Sequence, residues 1–133
     1  MEDAQMTEHG IFYWNELMSR DVERSKSFYV ETLGWVFSEM PMDDGGTYWV
    51  AHVGDKAVGG LFEMTGAQFE GVPEHWTPYV AVDDVDKRAA LAVANGAEIL
   101  RPAFDVPGVG RIVILKDNGG AAQGWMTPAP SNT

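Results

Sequence analysis

The sequence predicts an α+β protein built from two βαβββ half-units. Three observations carry this. The chain repeats itself over roughly sixty residues, too long a period for a solenoid unit and about right for a half-domain. Asp21-Val22-Glu23-Arg24 returns as Asp84-Val85-Asp86-Lys87, Gly34 as Gly96, Phe37 as Ile99, Val50 as Ile112 and Met64 as Met126. Each copy opens on an apolar, aromatic run, continues into a capped helical pattern, and closes with three short apolar runs between turn residues. A polar connection containing Gly and Pro, Thr65 to Glu74, separates the copies. Such a unit buries its core by pairing, and equivalent positions then face each other across a cleft.

In the first copy, Ile11 to Met18 reads as a strand. Asp21 starts a helix, its carboxylate capping the free N–H groups of the first turn, with Glu23 at the positive end of the dipole. Gly34 ends that helix by supplying a positive φ. Trp35 to Met40, Thr47 to Val53 and Val58 to Met64 are the three following strands, joined by turns at Asp43 to Gly46 and Gly54 to Lys56. The second copy repeats the order. Trp76 to Val82 is a strand and Asp84 caps an alanine-rich helix that runs to Asn95-Gly96. Glu98 to Pro102, Arg111 to Lys116 and Ala121 to Met126 follow, the last two joined by Asn118-Gly119 as a two-residue hairpin turn. The expected organisation is a flexible tail over 1–9, half-units over 10–66 and 75–127, a linker over 67–74, and a disordered tail over 128–133.

Composition narrows the function. Hydrophobic residues make up 45% of 133 residues, enough for one folded interior. There is no cysteine, which excludes disulfides, thiolate nucleophiles and sulfur-ligated metals. The formal net charge of −11 repels phosphate backbones, so nucleic acid is not an expected partner. No apolar run approaches the roughly 18–20 residues of a membrane span, and no signal-peptide pattern opens the chain. A cytoplasmic location is expected.

These motifs carry a resemblance. Arg20 to Tyr29 with Leu33-Gly34-Trp35, then Val82 to Asp86, Asn95-Gly96-Ala97 and Lys116 to Gly120, are similar to the vicinal oxygen chelate superfamily. That superfamily holds glyoxalase I, bleomycin-resistance proteins and extradiol dioxygenases. The resemblance implies a glyoxalase/bleomycin-resistance-type cupped mixed sheet with helices on its outer face, and commonly a homodimer. It also implies a metal site with one ligand from the first and one from the last strand of each half. The first-strand positions lie seven residues before each capping Asp and fall on Trp14 and Thr77. The last-strand positions fall at Phe62, or Glu63 after a one-residue shift at Gly59-Gly60, and at Gly124. Indole gives no lone pair and a neutral hydroxyl is a poor ligand, so no metal site and no cofactor are expected.

Strand alternation says what lines the cup instead. If Trp14 and Thr77 face inward, so do Glu16, Met18, His75 and Tyr79, while Leu17 and Val80 face the helices. In the third strand, Tyr48, Val50 and His52 share one side and Trp49, Ala51 and Val53 the other, with the inward side left open. The expected ligand-binding residues are Trp14, Glu16, Tyr48, Thr77 and Tyr79, an aromatic and acidic set suited to a flat apolar or cationic molecule. His52 is either a general base or an ordinary strand residue. Glu63 is either a buried carboxyl of raised pKa or a solvent-facing one. The expected activity is metal-free binding of a small organic molecule. Two alternatives stand beside it: a glyoxalase-like lyase or dioxygenase-type enzyme, working with an unusual ligand set or by acid–base catalysis through Glu63 or His52, and sequestration of a cationic drug-like compound.

Overall fold

The structure is a computed structural model that describes residues 9–42 and 45–129. It carries eight strands and two α-helices in the order β1 (Phe12–Ser19), α1 (Val22–Leu33), β2 (Val36–Pro41), β3 (Thr47–Val53), β4 (Lys56–Glu63), β5 (His75–Ala81), α2 (Val85–Ala94), β6 (Glu98–Val106), β7 (Gly110–Lys116) and β8 (Ala122–Pro128). Twice, then, a strand is followed by a helix and three strands, as the repeat predicts. The fold is α+β with mixed strand pairing.

The helix termini follow from local chemistry. The Asp21 carboxylate accepts from the Arg24 N–H, and the Asp84 carboxylate from the Lys87 N–H. Gly34 closes α1 at φ 73°, a left-handed conformation that a β-carbon would oppose. The predicted turn at Asp43-Asp44 and nearly all of both predicted tails lie outside the described residues. His9, the last residue of the expected N-terminal tail, is held in place: its ring accepts from the Asp83 N–H at 3.1 Å.

Packing separates two compact units, Trp14–Thr77 and a second that joins the residues before Trp14 to those from Pro78 onward. The expected boundary at 67–74 is instead tied into the first unit. It carries a 3-10 turn at Ala67–Phe69, and the Arg20 guanidinium donates to the Phe69 and Val72 carbonyls. In the first unit the strands run β2-β3-β4-β1, with β1 and β4 parallel. Leu17, Ala51 and Leu61 are buried on the α1 side, where Tyr29 stacks on Trp35 and Trp76 meets both. Lys26 of α1 lies 3.3 Å from the centre of the Trp49 ring.

The second unit runs β5-β8-β7-β6, with β5 and β8 parallel. Its core is Val82, Val85, Val113 and Leu115, closed by Ala89 and Ala92 of α2. Alanine on that helix face lets the backbone come close to the strands, as the composition of α2 predicts.

Two corrections concern the second unit. The strand expected over Glu98–Pro102 extends to Val106, because two β-bulges let an edge strand carry Pro102 without breaking its pairing with β7. The Asn118-Gly119 pair is not a two-residue turn. Gly120 holds the positive φ, and the loop runs from Asp117 to Ala121. Asp117 governs it: its carboxylate accepts from the Gly119 and Ala121 N–H groups, both at 2.9 Å.

Those N–H donors hold the Asp117 carboxyl below its ordinary value of 3.8. A lowered folded-state pKa adds stability that is fully present above the unfolded value and is lost as pH falls through the folded one. Below pH 3.8 the melting temperature of Asp117→Asn is therefore expected to fall less steeply than that of the parent protein. Parallel melting curves from pH 5 to pH 2 check this, and identical acid slopes would contradict it.

Candidate functional site

The strand register fixes which positions of the two halves correspond. Glu16 of β1 sits opposite Gly60 of β4, and Tyr79 of β5 sits opposite Gly124 of β8. Glu16 and Tyr79 are themselves equivalent, each lying two residues after the first-strand position, Trp14 or Thr77. Gly60 is therefore the counterpart of Gly124, which corrects the expectation of Phe62 or Glu63. The reason lies in β6. Each of its two bulges adds a residue that the first half lacks, so the repeat read along the sequence drifts by two before the last strand.

The four positions where metal-dependent relatives would place ligands are thus Trp14, Gly60, Thr77 and Gly124. An indole, a hydroxyl and two hydrogens supply no donor set for a divalent cation. Nor is there elsewhere, among the described residues, a group of three or more His, Asp or Glu side chains able to hold one.

What fills the glycine positions is aromatic. A β-carbon placed on Gly60 would stand 1.6 Å from the Tyr48 Oη, and one on Gly124 would stand 2.4 Å from the Tyr79 Cε2. In each half a tyrosine ring lies over the bare backbone of the last strand. In the first unit the Trp14 Nε1–H donates to the Tyr48 Oη at 3.0 Å. Trp14 and Tyr48 therefore share a face, which settles the open side of β3: Tyr48, Val50 and His52 lie on the strand face, while Trp49 and Ala51 face α1. The register carries the row Ser38, Val50, Gly60, Glu16 straight across this face.

The other expected residues fall as follows. Thr77 and Tyr79 are buried, on the same side of β5. His52 is half-buried, and its Nε2 pairs with the Ser38 Oγ at 2.8 Å. Glu63 is exposed at the end of β4, the solvent-facing alternative. His75 pairs through Nδ1 with the Pro73 carbonyl. Gly59-Gly60 marks both a bulge and a close backbone approach. β4 slips register beside Ala51, and a β-carbon on Gly59 would lie 3.0 Å from the Asn15 carbonyl oxygen.

A hollow of about 340 Å³ opens on the helix side of the first unit, against Phe28, Tyr29 and Trp76. Its size would admit a small ligand. Its polar groups are already committed to one another: Arg24 to Glu74, Ser25 to Ser19, Trp76 to Tyr29 and His75 to Pro73. The Arg24 hydrogen bond holds the Glu74 carboxyl below its ordinary range. No convergent polar set remains there to orient a molecule, so the strand faces are the stronger candidates.

Fold and register together define a glyoxalase-type protein. The model for the Glyoxalase/Bleomycin resistance protein/Dioxygenase superfamily matches residues 11–122, and the chain belongs to that superfamily. Among curated proteins it is 38% identical over 125 residues to "Putative glyoxylase CFP32" of Mycobacterium bovis, covering 94% of this chain and 47% of that one. It is 29% identical over 120 residues to "Anthracycline biosynthesis protein DnrV" of Streptomyces peucetius, covering 82% of this chain and 44% of that one. The chain spans about half the length of the curated relatives it matches. Among solved structures, the methylmalonyl-CoA epimerase of Mycobacterium tuberculosis aligns with a TM-score of 0.66 at 18% identity, over 95% of both chains. The hypothetical protein BH1468 of Bacillus halodurans aligns with a TM-score of 0.71 at 12% identity, over 95% of this chain and 99% of that one. At such identities these two likenesses concern the fold alone.

Proposed function

We propose that the protein binds a small, flat organic molecule on its strand faces by aromatic contact and hydrogen bonding, without a metal ion. One observation carries this reading: glycine stands at both last-strand ligand positions, with a tyrosine ring over each. A carboxylate at either position would displace that ring. The same face of the first unit presents Trp14 and Tyr48, joined by a hydrogen bond, next to Glu16. Aromatic walls of this kind hold a planar molecule through dispersion and ring quadrupoles. A lyase or dioxygenase dependent on the family's metal has less support, because Trp14, Gly60, Thr77 and Gly124 offer no donor set for one.

A second reading, sequestration of a cationic aromatic compound, is supported by Glu16 beside the Trp14–Tyr48 pair and by the net charge of −11. The name of the Streptomyces peucetius relative, an anthracycline biosynthesis protein, agrees with a fused-ring ligand class.

Three naphthalene probes test both readings: 2-naphthylmethanol (neutral), 2-naphthylmethylammonium and 2-naphthoate. Saturable binding by calorimetry is expected for at least one. Trp14→Leu is expected to weaken it by about tenfold, the loss typical of an aromatic anchor in a binding face. Binding that ignores Trp14→Leu, or no saturable binding at millimolar probe, would contradict the proposal.

No helix among the described residues is long and apolar enough to cross a membrane.

A further inference from the structure

Four asparagines occur in the chain, and two of them precede glycine: Asn95-Gly96 and Asn118-Gly119. An asparagine followed by glycine carries a reactive amide. The next backbone nitrogen can attack the side-chain Cγ, and glycine, with no β-carbon, does not crowd the cyclic imide that forms. The fold brings both pairs together in the second unit, where a β-carbon on Gly96 would stand 3.1 Å from the Asn118 Cβ. All four residues are exposed. The pairs differ in what holds their atoms.

Asn95 is locked into the end of α2. Its Nδ2 donates to the Leu91 carbonyl at 2.8 Å, and the Gly96 N–H donates to the Val93 carbonyl at 3.1 Å. Attack by that nitrogen would break both bonds and fray the helix terminus. Asn118 is held otherwise. Among the described residues its side-chain amide makes no hydrogen bond, and the Gly119 N–H is held by one exposed group, the Asp117 carboxylate, at 2.9 Å. Freeing that nitrogen costs one side-chain contact and no secondary structure. The same carboxylate restrains the reaction. The nitrogen must give up its proton to attack, and the negative charge this leaves is repelled by the carboxylate beside it.

We infer that Asn118 is a site of spontaneous deamidation, and that Asp117 is the latch that sets its rate. The Gly119 nitrogen loses its proton and bonds to the Asn118 Cγ; the Cγ–Nδ2 bond breaks, and ammonia leaves with the proton. Water then opens the imide at either carbonyl, giving aspartate or isoaspartate. In sum, one amide and one water become one carboxylate and one ammonium ion, with no oxidant or reductant. Isoaspartate carries the backbone through its side chain and adds a methylene to the loop between β7 and β8, where Asp117 holds the Gly119 and Ala121 N–H groups. Because β7 brings Val113 and Leu115 to the core, protein aged at this residue is expected to melt at a lower temperature.

Incubation in mildly alkaline buffer at physiological temperature tests this, with peptide mapping by mass spectrometry to assign each site and detect isoaspartate. Conversion at Asn118 is expected to run several-fold faster than at Asn95 in the folded protein, and at a similar rate to it in urea. Asp117→Asn keeps an oxygen able to accept from both N–H groups and removes the charge. It should speed conversion at Asn118 several-fold and leave Asn95 unchanged. Gly119→Ala should slow conversion several-fold at a melting temperature close to the parent's, because a β-carbon there meets only the Asp117 Oδ1, at 3.5 Å. The site is overturned if Asn95 converts as fast as Asn118 in the folded protein, or if Gly119→Ala converts as fast as the parent. The latch is overturned if Asp117→Asn leaves the Asn118 rate unchanged or speeds both sites equally.

Discussion

Gly124→Ala is expected to destabilise the protein by about 3 kcal/mol, the upper end for forcing an extra group into a filled interior. Alanine is a minor change at most glycines of extended backbone. Here the added carbon would lie 2.4, 2.6 and 3.0 Å from the Cε2, Cδ2 and Cζ of Tyr79. The Tyr79 side chain cannot swing aside cheaply, because the residue is 7% exposed and buried between its strand neighbours. Gly60→Ala meets a comparable clash with the Tyr48 ring, but Tyr48 is half-buried and can turn outward, so a smaller loss of about 1–2 kcal/mol is expected, including the Trp14 hydrogen bond. A double-mutant cycle isolates the cause. If ring and glycine occupy one space, Gly124→Ala combined with Tyr79→Ala costs less than the sum of the two by at least about 1 kcal/mol. Additive losses in denaturant melts would show that Tyr79 does not occupy the space of a residue-124 side chain.

Leu115→Ala is expected to cost about 3 kcal/mol, within the range for deleting a buried leucine. Leu115 is fully buried and sits in the core of the second unit with Val82, Val85 and Val113. The alanines of α2 hold that helix close to the strands, so little side-chain length is available to collapse into the void. Leu100→Ala, at a residue 44% exposed in the bulged edge strand, is the contrast and should fall within about 0.5 kcal/mol. Equal losses at the two positions would mean that the core does not lie under α2.

The parts of the fold set by local chemistry were legible in the sequence. Asp21 and Asp84 declare their helices because a carboxylate three residues before a backbone N–H satisfies it wherever the rest of the chain goes. Gly34 declares a helix end because the left-handed conformation nearly requires it. The inward side of β1 follows from alternation alone, since Leu17 and Ser19 are buried while Trp14, Glu16 and Met18 lie on the other face.

What depended on pairing was not legible. The bulges of β6 leave no composition signal beyond Pro102, yet they shift the correspondence of the last strands and move a candidate ion position from Phe62 to Gly60. Asn118-Gly119 has the pattern of a hairpin turn, but Asp117 at the first turn position captured two N–H groups and moved the positive φ to Gly120. The tyrosine rings over Gly60 and Gly124 come from β3 and β5, and only the register shows which glycine each covers.

We propose that aromatic rings stand where metal-dependent relatives hold an ion and that ligand binding proceeds without one. The most direct test is the affinity of the tightest naphthalene probe, measured on protein stripped by a strong chelator and again after adding nickel, zinc, manganese or ferrous iron. A dissociation constant unchanged within about twofold across all these conditions is expected, because no three His, Asp or Glu side chains converge among the described residues to hold a metal. Binding that disappears on stripping and returns with one metal would contradict it.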